Sequence, residues 1–378
     1  MHQLRVAAIT ALGQASLHPS QLWAAPAPPA DEAVTLFLQG FNATWASRPH
    51  RLHDLGFLLD PGHSHPAGPH ADLWVHVRGG SWASGEAATD TPLVSLAYGG
   101  FASRQRVPTY GSAHMEIRGT AGRAPESRHA ATGSQAVTVA VPGLVDGAAV
   151  WLRGFRVQTD ALHPDGFTMH ALSIELGPAR VEQGQASFLC QVEIVGAAVP
   201  DRAQDLEEYG ASVDIDYTVL PSAAEGVVRQ HVSGRLSRGI SLETETERVR
   251  PALMPFAFAV ATEAPEVAAA LSGFSVRLDE EGVDSGRYLR ELGVTIEDLR
   301  FDPYRRRVDG VVSALFSNAG QVARPIAVDL GADITALTLL PGERSWSGRW
   351  ESVLHDPDTH ITWPDELPAS ANPALPQP

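Results

Sequence analysis

The sequence contains no lysine; every one of its 28 basic side chains is an arginine. That absence removes Schiff-base chemistry, phosphate-loop lysines and lysine general bases at a stroke. It also leaves 44 acidic groups against those 28 arginines, a formal charge of −16. A surface of that sign repels phosphate backbones, so nucleic acid is not an expected partner. Cysteine occurs once, at Cys190, which rules out an intrachain disulfide framework. No apolar run reaches membrane-spanning length, so no membrane span is expected. The opening "MHQLRVAAITALGQA" lacks the charged start and long apolar stretch of a good leader, and the chain reads as cytoplasmic rather than secreted. Long helical periodicities are missing as well.

What is present in excess is Gly (34) and Pro (28), with a 44% apolar fraction. Such a mixture describes short strands joined by turns in a globular protein. The richness in Ala, Arg, Gly and Pro fits a GC-biased bacterial genome and needs no functional cause. Alternation is clearest in "SVDIDYTVL" (212–220). Val213, Ile215, Tyr217 and Val219 are expected to point inward, and Asp214, Asp216 and Thr218 to face water. In "SFLCQVEIV", Phe188, Cys190, Val192 and Ile194 share the apolar face, so the thiol reads as buried and inert.

One strand is spelled three times. "LFLQGFNATWA", "VWLRGFRVQTD" and "ALSGFSVRLDE" place Gly-Phe at Gly40-Phe41, Gly154-Phe155 and Gly273-Phe274, about 115 residues apart. A second signature, apolar-x-x-Leu-small-apolar, follows each: "LHDLGF", "MHALSI" and "LRELGV". A third strand follows in turn: "DLWVHVRG", "SFLCQVEIV" and "GVVSALFS". Aligned signatures at a near-constant period point to tandem triplication. The glycine before each phenylalanine marks a bulge or a close backbone approach. "APEVAAALSGF" has helical composition, but its register with the other two copies makes it a strand.

The expected fold is therefore all-β: three tandem antiparallel β-sandwich repeats, immunoglobulin-like or jelly-roll-like, each about 115 residues long. The boundaries are 20–134, 135–253 and 254–352, after an N-terminal strand or leader (1–19) and before a Pro-rich disordered tail (353–378). Each unit is long enough to bury its own core, giving beads rather than a continuous stack.

Three groups of residues are candidates for chemistry. Asp160, Asp165, Asp279 and Asp284 lie on loops of the second and third copies, and clustered carboxylates suit Ca²⁺. Asx turns explain the same residues without a metal. His63, His65 and His70, in "DPGHSHPAGPH", have donors for a transition metal, but no familiar zinc spacing. Trp82, Trp346 and Trp350, with Arg349, offer flat apolar faces beside polar groups, as sugar binding requires. No nucleophile elbow and no HExxH motif occurs. The expectation is a non-enzymatic structural or assembly scaffold, or a protein-binding module, without a resident cofactor. Its partners would be protein, either itself or another subunit. The alternative is a carbohydrate-binding, lectin-like array assisted by Ca²⁺; a β-sandwich hydrolase ranks below both.

Overall fold

The structure is a computed structural model. It describes residues 3–4, 14–17, 32–44, 51–61, 71–80, 93–120, 129–143, 145–158, 168–197, 208–239, 251–260, 266–279, 288–319 and 325–353. Two short strands come first, β1 (Gln3–Leu4) and β2 (Gln14–Leu17). A first set of strands follows: β3 (Ala33–Thr44), β4 (Arg51–Pro61), β5 (Ala71–Gly80), β6 (Leu93–Ser103), β7 (Thr109–Thr120) and β8 (His129–Ala140). The second set is β9 (Gly147–Gln158), β10 (Thr168–Leu176), the spur β11 (Arg180–Glu182), β12 (Gln185–Ala197), β13 (Glu208–Ser222), β14 (Val227–Gly239) and β15 (Ala252–Ala259). The third is β16 (Val267–Asp279), β17 (Tyr288–Asp302), β18 (Arg307–Ala319), β19 (Pro325–Thr338) and β20 (Arg344–Val353). The only helical element among the described residues is a 3-10 turn at Ala224–Gly226, and none of their helices could cross a membrane.

These strands form three sheets, antiparallel apart from the two-residue contact of β1 with β20. Sheet I runs β20–β6–β3–β17–β18–β15, sheet II β7–β13–β9–β4–β5–β2, and sheet III β14–β19–β16–β10–β12–β8. Leaving the spur aside, every sheet has the same order by rank within a set. A fifth strand pairs with a fourth, the fourth with the first of the same set, then come the second and third of the preceding set, and finally a strand from elsewhere. The separate sandwiches expected from sequence are not seen as such. The second and third strands of each set leave to join a neighbour's sheet, so no set keeps two sheets of its own to close around a private core. One hydrophobic cluster instead runs from Leu36 to Ala336 and takes in strands of all three sheets.

The repeated signatures explain how this is built. In each set the residue before Gly-Phe sits at a break in register with the fourth strand: Gln39 in β3, Arg153 in β9 and Ser272 in β16. A bulge adds one residue and so reverses which parity faces the core. Leu36 and Leu38 point into the main cluster before it, Phe41 and Ala43 after it. Val150 and Leu152 give way to Phe155 and Val157 in the same manner, and Ala269 and Leu271 to Phe274 and Val276. The second signature carries another bulge, at His53, His170 and Arg290.

The two signatures then pair with each other across sets. Phe41 lies opposite Val294, Phe155 opposite Phe57, and Phe274 opposite Ile174. Here the glycines are needed for close approach. A Cβ on Gly40 would strike the Cα of Thr295 and come within 2.6 Å of the Val294 carbonyl. On Gly154 it would strike the Phe57 carbonyl and lie 2.7 Å from the Cα of Leu58. Both bulge and close approach, expected as alternatives, occur at the same motif.

The three phenylalanines meet. Ring centroids are 5.0 Å apart for Phe41–Phe155, 4.9 Å for Phe41–Phe274 and 5.2 Å for Phe155–Phe274. Edge-on and tilted contacts at this spacing suit aromatic quadrupoles. Two residues before each bulge stand Phe37, Trp151 and Ala270, which join Phe101, Leu220 and Leu337 in a second, smaller cluster. Phe37 and Trp151 are 4.7 Å apart. The first strands are thus covered on both faces at this end; β9 is buried at every residue from Gly147 to Phe155.

This second cover corrects one expectation from alternation. Asp216 and Thr218 do not face water but are buried, with Thr218 fully enclosed. The inward set Val213, Ile215, Tyr217 and Val219 is buried as expected. Cys190 is buried with Phe188, Val192 and Ile194, and burial pushes its thiol up to about 12. The helix-like "APEVAAALSGF" contains the start of strand β16. Its alanines suit a position where both faces must be closely covered.

Candidate functional site

Among the buried polar side chains, Gln39, Arg153, His170 and Ser272 sit at the bulges. Gln39 donates from Nε2 to the Ala269 carbonyl at 3.1 Å, tying sheet I to sheet III. Trp151 donates from Nε1 to the Thr335 carbonyl at 2.8 Å, tying sheet II to sheet III. The Thr218 hydroxyl donates to the Leu36 carbonyl at 3.0 Å, tying sheet II to sheet I. Ser272 donates to the Asp333 carbonyl at 3.2 Å and accepts from the Thr335 hydroxyl at 2.9 Å.

Arg153 carries the charge in this layer. Its Nη1 donates to the Leu59 carbonyl at 3.0 Å, and Nη2 lies 3.3 Å from Asp216 Oδ1. Its guanidinium stands over the Tyr110 ring, 5.3 Å from the centroid. Asp216 also accepts from the Ser112 hydroxyl. Tyr110 in turn donates to the Val34 carbonyl at 2.6 Å. Burying an ion pair is costly unless neutral groups share in holding it, and here the Leu59 carbonyl and the Ser112 hydroxyl do so. At one end of the molecule Arg106 and Glu343 form a second buried pair, 3.7 Å apart. Burial lowers the arginine's pKa and Glu343 opposes that shift. Arg106 also donates to the Thr338 carbonyl at 3.0 Å.

Two arrangements face solvent. His114 on β7 lies 2.7 Å through Nδ1 from Asp214 Oδ1 and 3.2 Å through Nε2 from Glu116 Oε1. The hydrogen bond and charge of Asp214 raise its pKa, against a slight cost of desolvation. With a carboxylate beside each nitrogen, the imidazolium form of the ring is favoured. The second arrangement is a cavity of about 210 Å³ lined by Asp146, Ala148, Val150, Ala179, Val227 and Arg229. Arg229 is fixed by Glu175 at 2.8 Å, by the Leu176 carbonyl and by Asp333 at 3.5 Å. Asp146 accepts from the Ala224 backbone N–H at 2.8 Å. Both charges of the cavity are therefore already held by the protein's own groups.

Trp346 and Arg349 fall on opposite faces of β20. Trp346 stands opposite Gly100, where its indole occupies the space a Cβ would take, and it packs against both hydrophobic clusters. Arg349 is exposed, with Nη2 3.4 Å from the Ser95 hydroxyl. The backbones of Trp350 and Asp279 end or lie in strands, but their side chains are outside the described residues. Trp82, Asp160, Asp165, Asp284, His63, His65 and His70 also lie outside them. Among the described residues no group of three or more His, Cys, Asp or Glu side chains stands where it could hold a metal ion.

Sequence reasoning missed the interior layer of Gln39, Trp151, Arg153, Asp216 and Ser272. A signal for it existed. "LQGF", "LRGF" and "LSGF" put a polar residue between leucine and glycine in all three Gly-Phe strands. Compared with known proteins, the chain matches no family model, no curated protein and no solved structure.

Proposed function

We propose that this protein is a non-enzymatic scaffold: three diverged copies of one strand set, laced into a single frame that presents its sheet faces and loops to protein partners. The observation that carries the reading is the matching strand order of the three sheets, with Gln39, Trp151 and Thr218 each joining one sheet to another. A frame interlocked in this way holds strand ends from different sets at fixed separations, and fixed separation lets several weak contacts act together. The loops differ by copy. The first has the histidines His63, His65 and His70, the second Asp160 and Asp165, the third Asp284. Differences between connecting segments on a common frame are a route by which scaffolds acquire separate partners.

The test uses the full chain and three variants, each with one of these loops replaced by a Gly-Ser linker of equal length. Quantitative affinity capture should give a partner whose retention depends on a particular loop. Light scattering should show whether that partner is a second copy of the chain. A monomer at all concentrations with no loop-dependent partner overturns the reading. Binding on a glycan array, with or without Ca²⁺, would support the carbohydrate-binding alternative in its place.

A further inference from the structure

In sheet III the third strand of the second set, β12, is flanked on its outer side by β8, which pairs with it from Gln185 to Gly196. In sheet I the third strand of the third set, β18, is flanked by β15 from Arg307 to Ala314. Each of these flanking strands is the sixth of a set, and each follows a fifth strand that it packs against: β7 with β8, β14 with β15. In sheet II the third strand is β5, and its outer neighbour is β2, antiparallel, with Gln14 opposite Trp74, Ala15 opposite Leu73, Ser16 opposite Asp72 and Leu17 opposite Ala71. The third set runs from β16 to β20, and among the described residues no strand follows β20. The fifth strand β20 does have a neighbour from the start of the chain, since β1 pairs with it at Gln3–Arg349 and Leu4–Trp350.

We infer that Gln14–Leu17 is the sixth strand of the third set, so that a segment from the start of the chain closes the frame that its last set leaves open. The inference rests on reading the chain as three equivalent sets. It adds that the three sets are arranged in a ring. The closing strand here is shorter than its two counterparts: 4 residues against 12 in β8 and 8 in β15. A sheet edge covered by so short a strand is the place where the frame opens first.

Two experiments on the whole chain test this. Directly opposed residues of antiparallel strands lie within disulfide reach, and the native Cys190 is buried, so the pair Ala15→Cys with Leu73→Cys has little background. Mild oxidation should link it within one chain. Cleavage at arginine should then yield the peptides 6–51 and 52–78 joined, and the offset pair Ala15→Cys with Val77→Cys should stay reduced. The second experiment is a circular permutant that begins at Asp31, continues through Pro378 to Met1 by a Gly-Ser linker, and ends at Ala30. It places β2 after β20, in the order the other sets have, and should keep its β-sheet circular dichroism with a Tm within about 5 °C of the parent. A cysteine pair that stays reduced or joins two chains overturns the inference, and so does a permutant that loses its β-sheet signal. Neither readout involves a partner, so failure here and failure of the scaffold reading are separable.

Discussion

Gly154 shows how much one missing carbon can matter. The neighbouring strand runs so close that a Cβ would meet the Phe57 carbonyl and the Leu58 backbone, neither of which can swing aside. Overpacking of this kind costs about 1–3 kcal/mol. Gly154→Ala should lower the urea midpoint accordingly, with no change in slope. Cys190 gives a second test. With its thiol buried and its pKa raised, it should react with a disulfide reagent only after denaturation. His114 gives a third. Its pKa lies above the reference 6.5 because of Asp214 first and Glu116 after. A raised folded-state pKa stabilises fully below the unfolded value, and the contribution is lost as pH rises through the folded value. Asp214→Asn should bring the His114 pKa, followed by NMR, back towards 6.5 and flatten that pH dependence.

At the scale of the element, the bulge determines what a strand can do. Were Arg153 paired as an ordinary strand residue instead of bulged out, Leu152 and Phe155 would fall on opposite faces and one of them would have to leave the core. The inserted position is enclosed, so the polar side chain placed there needs partners. Arg153 finds them in Leu59, Asp216 and the face of Tyr110. Arg153→Met would leave Asp216 buried without its cation and should cost about 3–5 kcal/mol in chemical denaturation. Adding Asp216→Asn should recover part of that loss, and the double-mutant cycle measures the coupling. A pair contributing nothing would leave the two losses simply additive.

At the scale of the whole molecule, Phe41, Phe155 and Phe274 come from strands far apart in sequence, yet each ring touches the other two. Removing any one should therefore weaken the entire frame. Phe41→Ala, Phe155→Ala and Phe274→Ala should each lower a single calorimetric transition by about 3–5 kcal/mol. The parent's calorimetric and van't Hoff enthalpies should agree. Independent beads would behave otherwise: each substitution would shift one of several transitions and leave the rest in place.

Period-two alternation by itself determined that this chain forms strands and which residues line the core, from Phe188 to Ile194 and from Val213 to Val219. The recurring Gly-Phe spacing also determined that one strand pattern occurs three times, because a bulge with a close neighbour leaves no room for a Cβ at the glycine. Only the tertiary structure decided whom each strand pairs with. Backbone hydrogen bonds are the same whichever copy supplies the partner, so pairing Phe155 with Phe57 of another set leaves no mark in local spacing. The burial of Asp216 and Thr218 was hidden for the same reason: alternation describes one covered face, and the second face was covered by residues from the other strand sets.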